Sequence, residues 1–138
     1  MAVDLKTDRL VAEQLRTGWF GLVCELSDIG LQRRTWLDLT NQNPHWSYIE
    51  FVSSVPDHDQ LLQARQEHWL TVFEFAVLDE LRLVVDAYDP PGDDPYDNAA
   101  VLDDPAWHAV VEAAGHAKQR LLSMTADQRE REMLLGGR

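Results

Sequence analysis

Apolar residues recur along most of this chain at steps of three and four, the spacing that places side chains on one face of an α-helix. Leu10, Val11, Leu15, Trp19, Leu22, Val23 and Leu26 follow it and predict an amphipathic helix from about Thr7 to Leu26. Gly18 and Gly21 fall inside that span. A glycine costs about 1 kcal/mol relative to alanine in a helix interior, so either a neighbour packs closely there or the helix kinks. Ile29, Leu31, Trp36 and Leu37 predict a second helix after Ser27, with Arg33 and Arg34 outward and an end by Thr40. Asn41 and Asn43 followed by Pro44 combine a stop with a new start, which predicts a helix from Pro44 to Ser53. Trp46, Tyr48, Ile49, Phe51 and Val52 would equally suit a short buried strand.

Pro56 and Asp57 open the longest piece, with Asp57 placed to cap and Asp59 to favour the positive helix end. The pattern carries to Tyr88, a length at which a bend near the middle is expected. Its second half, WLTVFEFAVLDELRLVV, is apolar on nearly every side and predicts a central helix enclosed by others. The stretch DPPGDDPYDNAAVLD from Asp89 to Asp103 then reads as a long connecting loop, a kind usually functional or disordered. Asp104 and Pro105 repeat the cap-and-proline start of a helix that runs to about Met124. Thr125 and Gln128 have capping-box spacing for a last helix through Leu134, ended by Gly136 and Gly137. Short connections elsewhere favour antiparallel neighbours. The expected architecture is one all-α domain over residues 1–138, an irregular bundle of five to six helices around the long 57–88 helix.

Composition adds that 138 residues, 45% of them apolar, can bury one core without staples. A formal charge of −12 opposes nucleic acid and anionic membranes, both of which present phosphate, and favours basic partners. No run approaches the 18 uncharged apolar residues of a membrane span. The opening MAVDLKTDRL lacks the apolar core of a signal peptide, so a cytoplasmic location is expected. The lone Cys24 fits a reducing compartment and reads as core filler.

The charge is unevenly spread. Residues 1–82 hold 13 acids and 7 bases, residues 83–117 hold 8 acids and no base, and residues 118–138 hold 3 acids and 5 bases. Asp86, Asp89, Asp93, Asp94, Asp97, Asp103 and Asp104 crowd into nineteen positions and repel one another unless something opposes them. A basic protein partner would do so, with Tyr96 as the only aromatic anchor inside the stretch and prolines 90, 91 and 95 stiffening it. A solvated acidic loop is the plain alternative, given aspartate's preference for caps and turns. The spacing does not suit calcium, which wants a glycine at the sharp turn and a terminal bidentate glutamate.

His108, Glu112 and His116 form the most enzyme-like set, each i, i+4 pair being about 6 Å apart, near enough to share a metal ion. The outer two are separated by about 12 Å of helix rise. They also lie roughly opposite the stripe of Trp107, Val110, Val111, Ala114, Leu121 and Leu122, so a polar face in water is the reading taken. His45 and His68, each beside a tryptophan, read as structural, and most of the five tryptophans as core. Phosphate-loop, dinucleotide, zinc-protease and nucleophile-elbow motifs are all missing, and no cofactor or catalytic set is assigned.

The small acidic helical profile, together with the segment RTWLDLTNQNPHWSYIEF, resembles the immunity proteins encoded beside bacterial contact-dependent inhibition and other polymorphic toxins. The resemblance implies a cytosolic inhibitor that binds its cognate toxin domain tightly, often a nuclease, and blocks the active cleft. A helical metal-dependent enzyme built on His108, Glu112 or His116, and an adaptor or regulatory subunit, stand as alternatives.

Overall fold

A computed structural model describes residues 5–40 and 47–136. Helices α1 (Leu5–Leu26), α2 (Ile29–Trp36), α3 (Tyr48–Ser53), α4 (His58–Gln66) and α5 (Val72–Asp86) are followed by a 3₁₀ turn at Pro91–Asp93. Helices α6 (Asn98–Asp103), α7 (Pro105–Met124) and α8 (Gln128–Leu134) complete the chain. Among the described residues there is no strand, and the protein is all-α. The start read at Asn41, Asn43 and Pro44, with His45, Trp46 and Gly137, lies outside the described residues.

Local chemistry sets most boundaries. The side chains of Asp28, Ser47, Asp57, Thr71, Asp97, Asp104 and Asp127 each accept a backbone N–H at the start of the helix they precede. The glycine question in α1 resolves as close packing at Gly21 alone, since a Cβ on Gly18 would meet open space. A Cβ on Gly21 would lie 2.9 Å from Met133 Cε of α8, and the helix runs on unbroken.

Four expectations are revised. The 57–88 span is two helices: α4 ends where His68 takes a positive φ of 61°, and α5 begins from a Thr71–Glu74 capping box. Apolar periodicity continues across Trp69 and Leu70, which hid the break. The bundle is also centred on α7 as much as on α5, since α7 packs against α1, α5, α6 and α8. The acidic stretch is a loop only in its first half; α6 occupies the rest and buries Val101 and Leu102 completely. The cap of α8 is Asp127, which accepts from Glu130 N at 3.0 Å, while Thr125 lies further back and donates its hydroxyl to Glu130 Oε1 at 2.6 Å.

Aromatic rings fill one end of the core. Trp107 is fully buried, with ring centroids of Trp36, Tyr48 and Tyr88 between 5.1 and 5.8 Å from its own, distances at which edge and tilted contacts are favourable. Its indole Nε1 donates to Gln32 Oε1 at 2.9 Å, and Gln32 Nε2 donates to the carbonyls of Glu25 and Leu26. A buried amide thereby meets its polar requirement and fixes α2 against α7 and the end of α1. Among the described residues, no helix is long and apolar enough to cross a membrane.

Candidate functional site

The acidic segment is built onto that aromatic end, and its anchors are polar groups the aspartates themselves help to satisfy. Tyr88 is buried against Tyr48 and Trp107, and its hydroxyl donates to Asp104 Oδ2 at 2.8 Å. Burial first, then the Asp104 carboxylate, push the Tyr88 phenol well above its ordinary range, so it stays a donor. Asp104 Oδ1 also accepts Ala106 N at 3.0 Å and thereby caps α7. Asn98 Oδ1 accepts Tyr48 N at 2.9 Å while its Nδ2 donates to Trp36 O at 3.3 Å, tying α6 to α2 and α3. Arg33 holds the far end of α6, donating to Leu102 O at 3.0 Å and to Asp103 Oδ1 at 3.2 Å.

The seven aspartates singled out by charge counting, and Tyr96 among them, therefore divide by role. Asp97 caps α6 through Ala100 N, and Asp104 caps α7. Asp86 accepts from Arg82 Nη1 at 2.7 Å, and Asp103 faces Arg33. Asp94 accepts Tyr96 N at 3.0 Å in a tight turn. Asp89 and Asp93 are exposed and make no side-chain hydrogen bond or ion pair among the described residues. Tyr96 is 74% exposed. Gly92 and Asp93 both adopt positive φ, 63° and 54°, a conformation that glycine takes freely and aspartate tolerates better than most side chains. The turn thus turns Asp93, Asp94 and Tyr96 to solvent from a segment fixed at both ends.

The histidine stripe begins beside the segment's anchor, because His108 meets the same Leu102 carbonyl as Arg33, and runs away from it along α7. His108 Nε2 lies 2.6 Å from Leu102 O, and His116 Nε2 lies 3.8 Å from Glu112 Oε1 with both side chains about three-quarters exposed. Among the described residues, no group of three or more His, Cys, Asp or Glu side chains is arranged to hold a metal ion.

One ionic centre escaped sequence reading. Arg16 of α1 donates through Nη1 and Nη2 to both oxygens of Glu74 at 2.6 Å, and through Nε and Nη2 to both oxygens of Glu130 at 2.8 Å. Its Nη1 also reaches Trp69 O at 3.0 Å. Glu74 and Glu130 are 2% and 8% exposed. Hydrogen bonds that Arg16 donates to the two carboxylates raise its guanidinium, and Arg16 in turn holds Glu130 below its ordinary range. Burial works against the Glu74 carboxylate, but hydrogen bonds from Arg16 and Thr71 outweigh it and lower that group too. The available signal was an arginine on the apolar 16, 20, 23 stripe of α1 together with the T-x-x-E spacing at Thr71.

No family model matches the chain, and no curated protein or solved structure matches it either.

Proposed function

We propose that the protein is a non-enzymatic, cytoplasmic immunity protein that neutralises a cognate toxin domain, a basic nuclease, by binding tightly over its active cleft. The observation that supports this reading best is the pairing of charge with order in the 86–104 segment. Residues 83–117 contain no lysine or arginine, and Asp89, Asp93, Asp94, Asp97 and Tyr96 are exposed. A nuclease cleft is lined by lysine and arginine to hold phosphate, so this surface complements it and steers rapid encounter. Because Tyr88, Asn98 and Leu102 anchor the segment, little conformational entropy remains to be lost on binding. Tyr96 then serves as a central aromatic contact within a charged rim.

The test is co-expression. The C-terminal domain of the protein encoded directly upstream of this chain should arrest growth when produced in a heterologous host, and this chain should restore growth. Persistent arrest in cells that contain the soluble chain contradicts the proposal.

A further inference from the structure

Three large apolar side chains reach solvent at the end of the molecule that carries the acidic segment. Leu37 is 44% exposed, Leu39 99% and Tyr96 74%. They come from stretches far apart in sequence, and Asn98 joins those stretches. Its Nδ2 donates to Trp36 O, one residue before Leu37, and Tyr96 lies two residues before Asn98. Leu39 is three residues beyond Trp36, no more than about 11 Å of chain.

Leu39 is held outward, and the core gains nothing from it. Asp38 Oδ1 accepts Thr40 N at 2.9 Å and the Thr40 hydroxyl at 2.7 Å, which closes a turn with Leu39 at its apex. Hydrogen bonds from the Thr40 hydroxyl and N–H also hold the Asp38 carboxyl below its ordinary range, so it is charged at neutral pH. A leucine alone in water is ordinary, whereas apolar side chains gathered within a charged border mark a contact surface.

That border identifies what covers them. Asp38, Asp94 and Asp97 are exposed on the same two stretches. Two copies meeting through this patch about a two-fold axis would bring these carboxylates face to face. A partner whose apolar pocket is bordered by lysine and arginine matches both the leucines and the charge around them. Exposed charge sets the rate of encounter, while buried apolar anchors set how long a complex lasts.

Resting on the immunity reading above, we infer that Leu37 and Leu39, with Tyr96, are the apolar anchor of the partner surface. The partner is then a protein that offers an apolar pocket rimmed by basic side chains, and its footprint extends beyond residues 86–104. The leucines govern dissociation and the aspartates association. Full burial of one leucine is worth about ten- to a hundredfold in an equilibrium constant.

Binding kinetics with the toxin domain encoded directly upstream test this, using the wild type, L39S and L37S/L39S. Both variants alter exposed side chains, so their far-UV circular dichroism and urea midpoints should match the wild type. L39S should dissociate about tenfold faster and L37S/L39S about thirtyfold faster, with association rates and salt dependence unchanged. Dissociation of L37S/L39S within about twofold of the wild type, or a lower urea midpoint for L39S, overturns the inference and leaves the immunity reading standing. So does a wild-type dimer in sedimentation equilibrium that L39S makes monomeric, because the leucines then serve a second copy. A wild type that does not bind the domain at all overturns the reading and the inference together.

Discussion

Carboxylates occupy two contrasting settings in this protein. At Arg16, Glu74 and Glu130 are buried, and one guanidinium occupies both oxygens of each. Between Asp86 and Asp104, exposed carboxylates sit close together, and among the described residues only Arg82 and Arg33 pair with them. Burial makes pairing obligatory, because a lone charge away from water is far more costly than the pair. Exposure relaxes that demand, so like charges persist and their field acts on whatever approaches. The first setting joins three helices distant in sequence; the second remains available to a partner.

The largest way to break the contrast is Arg16→Met, which strands two buried carboxylates. We expect a loss of about 3 to 5 kcal/mol in unfolding free energy, measured by urea denaturation. A loss under about 1 kcal/mol would mean that the node is ordinary surface pairing.

Acid should act through the same node. Glu74 and Glu130 have lowered folded-state values, so their stabilisation is complete above the unfolded glutamate value of 4.5 and is lost as pH falls through the folded values. Denaturation midpoints measured from pH 7 down to about pH 3 should therefore decline below that point in the wild type. In Arg16→Met the same decline should be reduced, and parallel curves for the two proteins would detach the acid sensitivity from this site.

Within the acidic segment the contrast recurs on a smaller scale. Asp104→Ala removes the α7 cap and the acceptor of the Tyr88 hydroxyl, and should cost about 1 to 2 kcal/mol. Asp93→Asn touches no partner and should change stability by less than about 0.5 kcal/mol. Equal effects from the two, compared by thermal or urea unfolding, would erase the division of the segment into supporting and displayed aspartates.

Features carried by local hydrogen bonds were legible in the sequence. Asp57, Asp104 and Pro105 act within a few residues of themselves, so the starts of α4 and α7 and the end of α7 at Met124 could be read directly. The break before α5 was not, because apolar periodicity bridges it and outweighed the Thr71–Glu74 box. The Arg16 node was hidden for a different reason: its partners lie 58 and 114 residues away, and no local pattern encodes them. Charge counting located the acidic segment but, apart from the cap read at Asp104, assigned its aspartates one role. Asp97 caps a helix that the loop reading of 89–103 did not anticipate, while Asp89 and Asp93 face water.

The most direct measurement of the proposed role is the association rate of this protein with the upstream-encoded toxin domain, at low and at physiological salt, for the wild type and D93N/D94N/D97N. Asparagine keeps the Asp97 cap and the Asp94 turn while removing three charges, so the variant should stay folded. We expect the wild-type rate to fall steeply with salt and the variant to associate about tenfold more slowly at low salt. Equal rates for the two proteins at low salt would contradict the assignment of the acidic segment as the binding surface.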